Sequence, residues 1–155
     1  MRWSILIAVL ALAACKDGSE PVSQEASPVL AELAARTAAE GRPEVPALPS
    51  GMAAGLQEVR FDEKPDGQFS YFRFRFVVPA IAGARPKGVE ERAGDMEFLC
   101  NEYALKTLSG TPRAYDRIVI SMADQETEFG VANPQATQFF ESFRVENGVC
   151  IWEDF

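Results

Sequence analysis

The side chains that most often carry catalysis are missing from this sequence or lack a motif around them. The chain has 155 residues and no histidine, so it lacks the commonest general base and a common metal ligand. Serine–histidine triads and histidine-based zinc sites are therefore excluded. Asp and Glu number 23, but no Gly-rich phosphate loop and no nucleophile elbow accompanies them. We expect no metal, no cofactor and no assignable catalytic residue, and a carboxylate-based hydrolase stays as an alternative without a defined site.

Alternating acids at Asp124, Glu126 and Glu128 resemble half of a calcium-binding loop. The glycine and the distal glutamate that complete such a loop are absent at the required spacing. We interpret these acids as the solvated side of an edge strand, where charge hinders aggregation. Lys and Arg number 15, which leaves a net charge of -8. That charge excludes a nucleic-acid binder that works by neutralising phosphates.

The first cysteine lies at the end of an export signal. Arg2 precedes an unbroken apolar run over residues 5–14, which is too short to span a bilayer. Residues 12–15 (Leu-Ala-Ala-Cys) resemble a bacterial lipobox, and this resemblance implies cleavage before Cys15 and lipid chains on its thiol and amine. The alternatives are a plain signal peptide or a core helix with a chance cysteine.

Lipid attachment at Cys15 predicts where the mature protein resides. The acyl chains anchor it to the cell envelope on the periplasmic side without a membrane span. Lys16 after the lipid acceptor resembles an outer-membrane sorting pattern, so we expect the outer membrane rather than the inner one. The expected partners are the membrane, through the anchor, and an envelope protein or cell-wall component. Nucleic acid is not an expected partner.

The remaining cysteines, Cys100 and Cys150, form an even pair in an oxidising compartment. Cys100 lies on the apolar face of a predicted helix, and Cys150 lies on the predicted inward face of the last strand. We predict a disulfide between helix and sheet, which stabilises the domain by on the order of 4 kcal/mol. Two free buried thiols or a redox pair are the alternatives, although neither cysteine has Cys-x-x-Cys spacing.

The pattern of the chain predicts three parts, which are a signal peptide over residues 1–14, a tether over 15–50 and a folded domain over 51–155. The tether carries half of the ten prolines and no aromatic residue, so it cannot form a core of its own. Residues 28–40 have the end signals of a helix. We interpret this helix as part of a flexible spacer, and the alternative is that it docks on the domain through Leu30 and Leu33.

Periodicity in the domain begins with two strands and a helix. The strands cover residues 59–62 and 72–78 and pair around a turn at 64–67. The main helix begins between 89 and 95 and ends before Gly110. Phe98 and Leu105 lie opposite its main apolar face, so we expect this helix to be covered on two sides, by the tether or a long loop.

The second part of the domain is predicted as strand, strand, helix, strand, strand. A buried strand covers 117–122, an edge strand covers 126–131, and a short helix begins at Asn133. That helix places four apolar side chains together: Ala136, Phe139, Phe140 and Phe143. The last two strands pair around the Asn-Gly turn at 147–148. The whole order predicts an α+β fold with a mainly antiparallel sheet, on which one main and one short helix pack.

The candidate partner surface is aromatic and basic. Its residues are Tyr71, Arg73, Arg75 and Trp152. The tyrosine and the two arginines share one face of a strand and could bind an anionic or aromatic partner. The alternative is an ion-paired outer surface completed by Glu58 and Asp62. The tryptophan could be displayed in a C-terminal tail, but we favour the alternative in which it fills the core.

Three segments of the domain resemble an uncharacterised family of small exported alphaproteobacterial proteins. They cover residues 98–103, 118–121 and 138–152, and the resemblance extends over about 56–155. Some members of that family are labelled acetolactate synthase, but the Gly-Asp-Gly motif that holds thiamine diphosphate in such enzymes is absent here. The resemblance therefore implies a location and a domain boundary, and no activity.

These observations favour a non-enzymatic, lipid-anchored envelope domain that binds a protein or cell-wall partner. A carboxylate-based periplasmic hydrolase and a small-ligand-binding or inhibitor module are the alternatives.

Overall fold

Five β-strands form one sheet in the computed structural model, which describes residues 27–41, 43–83, 89–111 and 115–153. The strands are β1 (Gly55–Asp62), β2 (Tyr71–Val77), β3 (Arg117–Ala123), β4 (Gln138–Glu146) and β5 (Val149–Glu153). They lie in the order β1-β2-β3-β4-β5. Neighbouring strands are antiparallel except for the parallel pair β2 and β3. The two predicted hairpins, β1 with β2 and β4 with β5, are confirmed.

Within the described residues, two α-helical regions and one turn of 3-10 helix (Pro79–Ile81) accompany the sheet. Helix α1 covers Pro28–Glu40, and α2 covers Val89–Leu99. The second region continues from α2 through a π-helical segment (Cys100–Ala104) into the short α3 (Leu105–Leu108). It connects β2 to β3, because parallel neighbours need a crossover between them. The predicted main helix and the α+β class with a mainly antiparallel sheet are both confirmed.

The core lies between the sheet and the helical region from α2 to α3. Phe72, Phe74 and Phe76 of β2 are buried on the same side, because alternate side chains of a strand share a face. The ring of Tyr103 stands edge-on to Phe74 and Phe76, with centroids 6.2 and 5.5 Å away. Each such pair adds about 0.5–1.5 kcal/mol beyond the burial of its area. These contacts hold the π-helical segment against the centre of β2.

Helix α1 packs on this core. Leu33 is 4 % exposed and Leu48, beyond the helix, is also buried in the core. The guanidinium of Arg36 donates to the carbonyl oxygens of Thr107 and Ser109 at the end of α3. Carbonyls at a helix C-terminus lack hydrogen-bond donors within their own helix, and Arg36 of α1 supplies these donors. Of the two arrangements considered for this helix, the structure has the docked one and not the spacer.

A disulfide joins the helical region to the edge of the sheet, as the sequence predicts. It links Cys100, where the π-helical segment begins, to Cys150 of β5, with Cα atoms 6.1 Å apart. Beside it, the N–H of Cys150 donates to Asn101 Oδ1 at 2.9 Å. The predicted signal peptide and Cys15 lie outside the described residues.

Two predictions for the chain after β3 are wrong. Residues 126–131 form a loop instead of an edge strand, and β4 replaces the short helix predicted from Asn133. Phe139 and Phe143 are four residues apart, a spacing that puts two side chains on one side of either a helix or a strand. Phe140 takes the opposite side, and pairing with both β3 and β5 stabilises the extended form. The strand neighbouring β3 is therefore β4.

Candidate binding surface

The helices cover one face of the sheet, and the other, open face carries ion-paired arginines. Arg75 is 5 % exposed. Its guanidinium contacts the carboxylate of Glu58 and donates to the carbonyl and hydroxyl oxygens of Thr127 at 2.8 and 2.6 Å. Arg73 pairs with Asp62 across the same two strands. The structure thus shows the ion-paired alternative for this face, and charge-assisted bonds hold both arginines in place.

The connection between β3 and β4, residues 124–137, folds over the open face. Gln57 Nε2 donates to the carbonyl oxygen of Thr127 at 2.8 Å. The ring centroid of Phe129 lies 3.8 Å from the guanidinium carbon of Arg60, which is a cation–π contact. These contacts fasten the loop to β1 and β2.

A groove remains between this loop and strands β2, β3 and β4, and we call it the open-face groove. Its cavity volume is about 330 Å³, which is near the lower end of the range for small-ligand sites, roughly 300–1,000 Å³. The sheet lines it with Arg73, Arg75, Val119, Ser121, Gln138 and Phe140, and the loop lines it with residues 128–132. Phe140 is 58 % exposed and Val131 is 55 % exposed, so the groove presents apolar surface to solvent.

Tyr71 lies on the open face, but its hydroxyl is engaged within the β1–β2 turn. It donates to Asp66 Oδ2 at 2.5 Å, and the N–H groups of Gln68 and Phe69 donate to Asp66 Oδ1 at 2.8 and 2.9 Å. The tyrosine hydroxyl, followed by these N–H groups, lowers the pKa of Asp66 from 3.8 to about 2. The same bond to Asp66 raises the pKa of Tyr71 above 10.0. The hydroxyl of Tyr71 therefore stabilises the turn through its bond to Asp66.

Trp152 lies on the other face of the sheet, away from the arginines. It pairs with Phe143 on the side that faces the helices, yet it is 52 % exposed because β5 is the edge of the sheet. Its indole N–H donates to Glu141 Oε2 at 2.6 Å. The interpretation that Trp152 fills the core is wrong. The four residues of the candidate partner surface thus do not come together, since β3 and β4 separate Trp152 from β2.

Residues 128–132 complete the open-face groove although the sequence pattern predicts an edge strand there. Alternation of Thr127, Phe129 and Val131 fits a strand, and nothing local reveals that the loop turns back over the sheet. Gly130, whose φ is 77°, and Pro134 are the two signals in the sequence against a strand. Neither residue identifies the surface that the loop contacts.

Of the three acids that resemble half of a calcium loop, Asp124 has a structural contact. Asp124 Oδ1 accepts from the N–H of Thr137 at 3.0 Å and closes the base of the loop. Within the described ranges, no group of three or more Cys, Asp or Glu side chains is arranged to hold a metal ion. None of the helices described for this chain is both long enough and apolar enough to cross a membrane.

Comparison with known proteins gives a family without a known activity. No curated protein and no solved structure matches the chain significantly. The model of a family of unknown function, DUF6497, matches residues 26–155, which is well over half of the chain. The match includes α1, in agreement with the docking of that helix on the core. The chain therefore belongs to DUF6497, a family of unknown function.

Proposed function

We propose that this chain is a non-enzymatic binding domain that a lipid on Cys15 holds at the periplasmic side of the cell envelope. The observation that carries the binding role is the open-face groove, where exposed apolar side chains lie beside polar side chains that are fixed in place. The partner is an envelope protein that inserts an apolar or aromatic side chain, and a cell-wall component is the alternative occupant.

The charges in the groove support an apolar occupant. Arg73 and Arg75 are already neutralised by Asp62 and Glu58, so an anionic ligand has to compete with two carboxylates in place. Phe140, in contrast, exposes more than half of its surface. Burial of apolar area is favourable by roughly 25 cal/mol per Å², and exposed apolar clusters mark interaction sites. Shape and apolar contact therefore select the partner.

The anchor is supported by the sequence around Cys15. Several acyl chains on one residue bind a membrane almost permanently, at about 0.8 kcal/mol per buried methylene. The chain has no cluster of basic residues that could replace them. Ten residues, 16–25, separate this cysteine from the family match. A fully extended segment of that length reaches about 35 Å, so the domain stays close to the membrane that carries it.

The experiment places a photo-cross-linking residue at Val131 in cells that make the full chain, followed by irradiation of intact membranes. We expect a cross-link to one envelope component. Val149 is the matched control, since it is also an exposed valine but belongs to β5 and does not line the groove. The same membranes provide the N-terminal peptide, on which mass spectrometry should find acyl mass at Cys15.

Equal cross-linking from both valines, or none from Val131, would contradict the binding role of the groove. An unprocessed N-terminus without acyl mass would contradict the anchor. Release of soluble fragments when the full chain is incubated with cell-wall polymer would favour the hydrolase alternative instead.

A further inference from the structure

A second groove lies on the helix side of the sheet, between α2 and residues 49–50, and we call it the acidic groove. Its cavity volume is about 630 Å³. The acids that line it are Glu90, Glu91, Asp95, Glu97 and Glu102. Phe98 and Pro49 add apolar surface between these acids. No Lys or Arg in the described ranges lines it. Glu102 is paired with Lys106 at 2.8 Å, and no ion pair joins a described cation to the other four acids.

Asp95 distinguishes this groove from an ordinary acidic surface. Its side chain is fully buried in the groove wall. One carboxyl oxygen, Oδ1, accepts from the N–H of Ser50 at 3.1 Å, whereas Oδ2 has no hydrogen-bond partner in the described part of the chain. Burial of a carboxyl oxygen without a hydrogen-bond partner is costly, and the surrounding acids add repulsion. The wall therefore offers a site that a positive charge stabilises.

We propose that the acidic groove binds a basic segment of a partner protein, in which a lysine or arginine lies next to an apolar residue. The cation lies near Asp95 and the exposed carboxylates of Glu91 and Glu97, and the apolar neighbour packs on half-buried Phe98. The groove combines acids with apolar surface, and this combination favours a peptide that carries both a cation and an apolar side chain. An inorganic ion is less suited, because the described acids form no cluster that could hold a metal. A net charge of -8 also attracts basic partners at long range. The site is separate from the open-face groove and does not depend on the function proposed for it.

The test measures the binding of a fluorescent peptide of alternating lysine and leucine to the purified full chain at low salt. We expect Asp95→Asn to weaken binding roughly tenfold, because one charge of a desolvated pair is lost from the complex. The free Asp95→Asn protein should melt at the same temperature or higher, because Asn keeps an acceptor for Ser50 and removes a negative charge from among the other acids of the groove. A purely structural role for Asp95 predicts the opposite, a less stable protein.

Glu91→Gln and Glu63→Gln are a matched pair, because each removes one exposed carboxylate but only Glu91 lines the acidic groove. Binding should weaken severalfold for Glu91→Gln and stay unchanged for Glu63→Gln. Equal losses of affinity from both variants would mean that binding depends only on the net charge of the protein, and this result would overturn the proposal. Unchanged affinity of Asp95→Asn would overturn it too, as would equally tight binding of a peptide in which serine replaces leucine.

Discussion

At the scale of single residues, Tyr71 controls the acid behaviour of the β1–β2 turn. Replacement by Phe removes the hydroxyl that lowers the pKa of Asp66 most. We expect Tyr71→Phe to raise that pKa from about 2 toward 3.8, as measured by NMR titration of the Asp66 carboxyl carbon. The folded state has the lower pKa, so Asp66 stabilises the fold above pH 3.8, and this contribution is lost as the pH falls through about 2. The stability difference between Tyr71→Phe and the native protein should therefore shrink over the same range.

Asp66→Asn is the control for this prediction, because it removes the titrating group. In that background Tyr71→Phe should change stability by an amount that does not vary between pH 3.8 and 2. If the pKa of Asp66 stays near 2 in Tyr71→Phe, the prediction is wrong, and the N–H groups of Gln68 and Phe69 are enough to lower it.

The faces of β2 are predictable from the sequence, but the contacts of its arginines are only partly so. Alternation alone places Arg73 and Arg75 opposite the buried phenylalanines, and the acids of β1 are their predictable partners. The contact between Arg75 and Thr127 spans 52 positions of sequence. It depends on a loop that folds back over the sheet, and no local pattern encodes that path. The open-face groove could not be predicted for the same reason.

At the scale of elements, the docking of α1 rests on Leu33. We expect Leu33→Ala to lower the free energy of unfolding by about 2–4 kcal/mol, since it leaves a cavity in the core. Urea denaturation of the full chain measures this loss. Leu30→Ala provides the comparison, because Leu30 lies on the same helix but is only half-buried, and its loss should be smaller. A Leu33→Ala protein as stable as the native one would mean that α1 contributes nothing to the fold in solution.

The helix α1 and the strand β4 show where local patterns succeed and fail. The ends of α1 are encoded locally by Pro28 and Gly41, so its bounds were predictable. Its docking depends on Leu33 and Arg36 reaching partners far along the chain. In β4, the spacing of Phe139 and Phe143 fits a helix and a strand equally. Hydrogen bonds to β3 and β5 favour the strand over the helix, and the periodicity of the sequence gives no information about these bonds.

At the scale of the whole molecule, the disulfide joins two parts that the sheet alone does not connect. Cys100 and Cys150 are 50 positions apart, and cross-linking a loop of that size stabilises a protein by on the order of 4 kcal/mol. We expect the double variant Cys100→Ser, Cys150→Ser to lose up to about this amount in chemical denaturation. The native protein in reductant should match it. Reaction of both Cys100 and Cys150 with a thiol reagent in the denatured, unreduced protein would contradict the pairing.

The parallel contact between β2 and β3 governs the order in which the sheet can be completed. The strands on either side of this contact, β1 with β2 and β3 with β4 and β5, pair with neighbours in sequence. The contact itself is long-range, because its paired residues Tyr71 and Arg117 are 46 positions apart. Pairs at such separation form late, because a long loop must close first. During synthesis the β1–β2 hairpin emerges well before β3, and until β3 arrives the free side of β2 is an unpaired edge. During this interval, β2 of a newly made chain can pair with β2 of another copy. The rate at which β3 pairs with β2 therefore sets how long the chain is prone to aggregate.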